Sequence, residues 1–296
     1  VKIAIGGGTG FVGRALASAL RSRGDEVTVL SRKGGDGLVA YDPSSERSWG
    51  EVIAGHDAVV HLAGESVGQR WTPAVKHAIR ESRVGTTSAL VSALASLEPP
   101  RRPRVLVTAS AVGYYGPRNG RERCDESTPP GSDFLASVVV DWERAARRAD
   151  ELGVRTVQLR IGIVLGERGG PLDKMLLPFK LFAGGPVGSG EQVYSWIAHD
   201  DVVGLALFAL DDARVSGPLN AVSPEAATNA ELARAIGRVL GRPAFVRTPA
   251  LAVKLAMGEA ATIALDGQRV VPSRALELGY VFRHPELDGA LAAVLR

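Results

Sequence analysis

The residues with the clearest chemical use lie near the start of the chain. Gly7-Gly8-Thr9-Gly10-Phe11-Val12-Gly13 spaces its glycines by three and three, G-x-x-G-x-x-G. Each answers a physical need. The first permits a tight turn from strand to helix, the second lets backbone approach a diphosphate, and the third lets the helix pack closely on the strand. A glycine triplet by itself is an ordinary turn. Here it follows Val1-Lys2-Ile3-Ala4-Ile5 and opens an amphipathic stretch without a gap, which is the context the chemistry requires. Gly7, Thr9, Gly10, Phe11, Val12 and Gly13 are thus expected to embrace a dinucleotide diphosphate.

A second cue is tied to the first by geometry. Residues Glu26–Ser31 read as the next strand, whose end faces the adenosine ribose in a dinucleotide site. A carboxylate there would accept from both ribose hydroxyls, but this chain has Leu30-Ser31-Arg32-Lys33. A carboxylate would repel a 2′-phosphate, whereas Arg32 can clamp one and Ser31 can donate to it. NADP is therefore the expected cofactor, with a solvated basic turn as the alternative.

These groups need a scaffold, and the chain alternates short β-rich runs with amphipathic helical stretches. That is the pattern of an α/β, doubly wound parallel sheet. Strands are expected at 2–6, 26–31, 37–41, 58–62, 104–109 and 156–160. The first helix sets Val12, Leu16, Ala19 and Leu20 on one face and stops at Gly24, a left-handed cap. A longer helix spans 73–97 and ends before Pro99-Pro100, and another spans 133–152 and is closed by Gly153. Beyond Gly166, glycine and proline cluster at 169–171 and 184–190. Helices follow at 200–210 and 229–240, with Asp200 or Asp201 and Asn229 as N-caps.

Composition narrows the class. A chain of 296 residues with 45% hydrophobic and 23% charged residues has ample core for one large domain or two modest ones. Cys124 is the only cysteine, and the five histidines lie far apart without metal-ligand spacing, so neither a disulfide nor a metal centre is expected. The pI is about 9.2, but the net charge is only +3. The densest basic patch, Arg101, Arg102 and Arg104, is broken by Pro103 and reads as a solvated loop rather than a nucleic-acid track. No apolar run approaches the ~20 residues of a membrane span. A cytoplasmic protein acting without nucleic acid or membrane is expected, as monomer or homodimer.

Several segments together resemble a known family. Residues 6–13 and 29–32, His61-Leu62-Ala63-Gly64-Glu65-Ser66, Arg70-Trp71-Thr72-Pro73, 82–87, 109–116, Asp141-Trp142-Glu143 and Ser195-Trp196-Ile197 are similar to the atypical epimerase-family branch of the extended short-chain dehydrogenase/reductases. The likeness runs along essentially the whole chain. It implies a Rossmann-like NADP-binding domain over 1–166 and a substrate-side lobe over 167–248. The tail at 249–296 resembles the small uncharacterised domain that ends these proteins. It also implies that Leu62, Ala63 and Gly64 border the adenosine and diphosphate, that Arg83 is a further cofactor contact, and that Val164 flanks the nicotinamide. A plain strand end and an exposed helix charge are the competing readings of the first two.

One part of the family's chemistry is missing. Its reductases and epimerases use a Tyr-x-x-x-Lys pair on the helix after the fifth strand, where lysine lowers the phenol pKa. Here Phe134 or Leu135 stands at the tyrosine position and Val138 or Val139 at the lysine position, and no tyrosine has a lysine four residues on. Ser110, Tyr114 and Tyr115 remain as catalytic candidates: Ser110 to hydrogen-bond a substrate oxygen, a tyrosine to carry the proton. Each can equally be structural. Lys174, Met175, Pro178, Ser195 and Trp196 fall where extended relatives line their substrate pocket, although an indole beside Ile197 also suits the core. The expected function is that of an NADP-dependent oxidoreductase or epimerase acting on a small polar substrate, nucleotide-linked ones included. A silent NADP-binding sensor or scaffold, cell-division related, is the alternative.

Overall fold

Nearly continuous apolar runs, buried on both faces, build the centre of the molecule. The computed structural model describes residues 1–118, 120, 122–166 and 169–295. Seven strands form one parallel sheet: β1 (Lys2–Gly6), β2 (Glu26–Ser31), β3 (Leu38–Ala40), β4 (Ala58–His61), β5 (Val105–Ala111), β6 (Arg155–Ile161) and β7 (Gly217–Ala221). Their spatial order is β3-β2-β1-β4-β5-β6-β7. Successive residues face opposite layers, so Ile3, Ile5, Val60 and Val107 join one apolar cluster while Ala4, Val59 and Leu106 join another. Helices α1 (Phe11–Ser22) and α7 (His199–Asp211) cover the first face. Helices α2 (Glu46–Ile53), α4 (Thr86–Ser96) and α5 (Phe134–Arg147) cover the second. Leu16 and Leu20 of α1 are fully buried, and each such side chain contributes about 1.5–3 kcal/mol of transfer free energy.

The expected doubly wound sheet is present, with local departures that have identifiable causes. The long helix expected at 73–97 is α3 (Pro73–Arg80) and α4 joined by a π turn at Glu81–Gly85. Capping differs too. Helix α7 is preceded by Ala198 and not capped by either aspartate; Asp201 is buried and accepts instead from the Arg283 and His284 amides, at 2.7 and 2.9 Å. Helix α8 (Asn229–Leu240) is capped by Thr228, whose hydroxyl and Glu231 form a reciprocal capping box, so Asn229 is the first helical residue.

Beyond β6 the chain leaves the main sheet at Gly162, where a Cβ would strike the Ser195 carbonyl. Among the described residues, three two-stranded pieces lie outside the main sheet: Ile163–Leu165 beside Trp196–Ala198, Val193–Tyr194 beside Ala227–Thr228, and Arg123–Cys124 beside Arg269–Val270. Helices α6 (Pro171–Lys180) and α8 pack there, and α9 (Ala250–Met257) and Leu287–Leu295 close the chain. The division expected after Gly166 falls on residues 167 and 168, which lie outside the described residues. Among the described residues no helix is long and apolar enough to cross a membrane.

Candidate functional site

The sheet reverses its winding between β1 and β4, and a crevice opens at the carboxyl ends of those strands. The loop leaving β1 carries the glycines, and Leu62, Ala63 and Gly64 leave β4 beside them. Gly7 has φ +79°, and a Cβ on it would sit 2.6 Å from the Ala63 nitrogen, so the two loops meet backbone to backbone. A Cβ on Gly13 would collide with the Gly7 carbonyl and lie 2.7 Å from the Gly8 Cα. Helix α1 therefore approaches β1 as closely as it does only because position 13 lacks a side chain. Gly10 is its N-cap, with no side-chain cap and no acidic residue in the first turn. Arg14 steadies the loop through the Thr9 carbonyl at 2.6 Å. Uncapped amides at a positive helix end, lined by glycine, fit an anionic diphosphate.

At the adenosine end, Ser31 closes β2 and Arg32 is exposed just past it. Beneath the crevice, a Cβ on Gly6 would meet Trp49, His61 and Tyr41. His61 is fully buried and shares a 3.1 Å hydrogen bond with Thr86, whose hydroxyl also donates to the Ser82 carbonyl. Burial lowers the imidazole to about 4 from an ordinary 6.5. On unfolding the ring takes up a proton between those values, so the unfolded state binds more protons and stability falls as pH drops from 6.5 towards 4. The expected loss is on the order of 2–3 kcal/mol across that window. Melts of the parent and His61→Gln should diverge accordingly, with the shallower slope in the variant; parallel slopes would remove histidine from the acid sensitivity.

The π turn serves the crevice. Ser82 accepts the Glu65 amide at 2.9 Å, which pins the loop after β4. Arg83, on the same turn, comes to rest below Gly64, where a Cβ would lie 3.2 Å from the guanidinium carbon. Its guanidinium donates to the Ile79 carbonyl at 3.2 Å and stacks on Trp142. Burial lowers its pKa, with Glu65 pulling the other way. The glycine loop, residues 62–64 and Arg83 thus converge. Val164 is buried in the core cluster with Ile5 and Leu16, against which Phe11, Val12 and Leu62 also pack.

At the far end of the crevice, two of the three catalytic candidates are spoken for. Ser110 donates to the Glu143 carboxylate at 2.6 Å. That carboxylate also receives a two-pronged bond from Arg160, both at 2.8 Å. Arg160 donates to the Tyr115 hydroxyl at 2.9 Å, and the hydroxyl donates in turn to the Asn220 Oδ1 at 2.7 Å. Ser110, Glu143, Arg160 and Asn220 are all buried. Burial works against the Arg160 charge, but Glu143 overrides it and raises the guanidinium pKa; burial likewise pushes the Tyr115 phenol up. Neither change favours proton exchange near neutrality. Tyr114 is half-buried, its ring 3.5 Å from the Arg160 guanidinium, and no hydrogen bond among the described residues holds its hydroxyl. Phe134 and Leu135 pack in an apolar cluster with Trp71, Ile79 and Val138, so that helix face presents no proton relay.

Of the lid candidates, Lys174 reaches the Gly68 carbonyl at 3.4 Å, across the mouth of the crevice, and Pro178 is exposed within α6. Ser195 instead clips the tail, donating to the Gln268 carbonyl and accepting from the Val270 amide. Trp196 is core, buried with Leu165 and Leu172, and Met175 packs against that cluster. Sequence reasoning missed Glu143, Arg160, Asn220 and His61. The available signal was Thr108 with Ser110 and Gln158 with Arg160, polar residues two apart and so on one face of otherwise apolar strands.

Comparison with known proteins agrees with this architecture. Residues 3–221 match the model of the NAD dependent epimerase/dehydratase family, and residues 248–294 match a domain of unknown function, DUF1731. The chain is 42% identical over 301 residues to the cattle (Bos taurus) epimerase family protein SDR39U1, covering all of both chains. It superposes on a crystal structure of human epimerase family protein SDR39U1 with NADPH at a TM-score of 0.90 and 40% identity, covering 99% of each chain. A nucleoside-diphosphate sugar epimerase from Corynebacterium glutamicum gives a TM-score of 0.83 at 36% identity, covering all of this chain and 58% of that one.

Proposed function

The chain belongs to the NAD dependent epimerase/dehydratase family, and from that premise we propose that it binds NADP(H) in the β1–β4 crevice and acts as an oxidoreductase or epimerase on a small polar substrate. The observation that carries this is the glycine-lined, uncapped start of α1, pressed against residues 62–64. The likeness to a human relative crystallised with NADPH supports the same reading. A compartment such as the cytoplasm suits the single buried cysteine.

In this proposal the amides of Phe11, Val12 and Gly13 hold the diphosphate, and Ser31 and Arg32 hold the 2′-phosphate. Arg83 supports the loop at Gly64. NADP(H), when bound, supplies or accepts hydride. The Ser110 hydroxyl donates its hydrogen bond to Glu143 and so offers a substrate only a lone pair. Tyr114 is the phenol available to move a proton, and Arg160, held ionised by Glu143, lies against its face. The apolar wall of Phe134 and Leu135 excludes water from that end.

Two measurements test the proposal. Arg32→Ala should weaken NADPH by about 10–100-fold, the worth of a charge-assisted contact, and leave NADH nearly unchanged. Equal affinities for both nucleotides in the parent would end the 2′-phosphate assignment. For turnover, NADPH absorbance is followed with aldehydes, ketones and nucleotide sugars. Oxidation that Tyr114→Phe slows supports catalysis; NADPH binding with no oxidation by any of them favours the sensor or scaffold.

A further inference from the structure

One surface of the molecule is apolar and basic at once. Leu177, Leu181 and Phe182, at and just past the end of α6, are 59, 69 and 57% exposed; Phe245 is 79% exposed, and Leu251 and Leu255 of α9 are 68 and 69% exposed. The two segments are stitched side by side. The Val246 amide donates to the Gly184 carbonyl at 3.0 Å, and the Thr248 amide to the Pro186 carbonyl at 2.9 Å. Arg242 lies 4.1 Å from the centre of the Phe182 ring. Phe182 has φ +59°, the one non-glycine in the left-handed region among the described residues, so an exposed aromatic is held in a conformation it resists. Arg242 also lines, with Arg234 and Arg238, a hollow of about 460 Å³ at the end of α8. Arg238 there is paired with Asp288.

Charge chooses the occupant. Residues 169–182 and 241–257 carry Lys174, Lys180, Arg242, Arg247 and Lys254 against Asp173 alone, in a chain whose net charge is +3. A second copy meeting this face about a twofold axis would set those cations against their own image. An anionic bilayer answers both features: leucine and phenylalanine reach the acyl boundary while lysine and arginine meet lipid phosphates. We propose that this face is a peripheral docking surface for an anionic lipid bilayer. The lack of an apolar run of ~20 residues, on which the expectation of no membrane rests, does not bear on such contact. Because Lys174 also reaches the Gly68 carbonyl, docking would hold the crevice mouth near the lipid.

The test is flotation of the full chain with vesicles of phosphatidylcholine alone or of phosphatidylcholine and phosphatidylglycerol in equal parts. Binding is expected to the mixed vesicles only, falling as salt rises. Combining Phe182→Gly with Phe245→Ser should cut partitioning about tenfold or more, and Arg242→Glu should do the same. Phe182→Gly relieves the backbone strain, so a lower melting temperature is not expected to explain its loss. Unchanged NADPH affinity in these variants separates the result from the cofactor reading. No flotation with mixed vesicles, equal flotation with neutral ones, or a dimer that Phe245→Ser dissolves would overturn the proposal.

Discussion

Gly13→Ala is expected to weaken NADPH binding at least a hundredfold, equivalent to about 3 kcal/mol. The added methyl would collide with the Gly7 carbonyl and lie 2.7 Å from the Gly8 Cα, and both obstacles are backbone. A flexible side chain could swing away; a strand-to-helix turn cannot. Helix α1 must move outward, and the amides at its start move with it. Overpacking of a rigid contact typically costs 1–3 kcal/mol of stability as well, so a lower melting temperature should accompany the loss. Gly24→Ala provides the control. Gly24 has φ +92° at the other end of α1, where a Cβ would meet nothing within 4 Å. It should cost about 1 kcal/mol of stability from backbone strain and leave NADPH affinity alone. If Gly13→Ala binds NADPH as the parent does, the loop is not the diphosphate site.

The second large effect concerns the buried ion pair. Glu143→Ala should destabilise the fold by about 3–5 kcal/mol, because it leaves the Arg160 charge buried without its partner. The side chains of Arg160 and Glu143 are 3 and 8% exposed, so water cannot substitute cheaply. Ser110 loses its acceptor in the same stroke, and Tyr115 stays tied to a guanidinium that is no longer neutralised. Replacing both partners, Glu143→Leu with Arg160→Met, should recover much of the loss, since an apolar pair of similar volume removes the stranded charge. Urea melts of Glu143→Leu, Arg160→Met and the double variant decide the point. A double variant as unstable as the sum of the singles would show that the pair is not the coupled unit the geometry describes.

Much of the frame is legible in the residues because it obeys local rules. Strand β1, strand β2 and helix α8 fall where alternation, β-branched content and glycine caps place them. The glycine loop is legible for a similar reason: Gly10 and Gly13 serve contacts within a few residues of themselves, and the triplet's spacing after a strand marks the turn. The Ala63 contact that constrains Gly7, however, is distant in sequence. The polar network is another matter. Ser110 and Glu143 are 33 residues apart, and Tyr115 and Asn220 are 105 apart. Their pairing depends on β5, β6 and β7 lying side by side, which no local pattern encodes. Ser110 and Tyr115 therefore look like free reactive groups in the sequence and are bound partners in the fold. The π turn at Glu81–Gly85 was equally hidden, since its residues suit an α-helix, and only the packing of Arg83 against Trp142 and Gly64 distinguishes it. The caps of α7 and α8 erred by one to three residues because an aspartate or asparagine near a helix start has several partners to choose from. Asp201 chose the tail.

The account rests on backbone amides at the start of α1 receiving a dinucleotide diphosphate. Crystals grown with saturating NADPH test it directly. The expected result is diphosphate oxygens about 3 Å from the Phe11 and Val12 amide nitrogens, with the 2′-phosphate against Arg32. A nucleotide seated anywhere else, or calorimetry showing that neither NADPH nor NADH binds the folded protein, would contradict it.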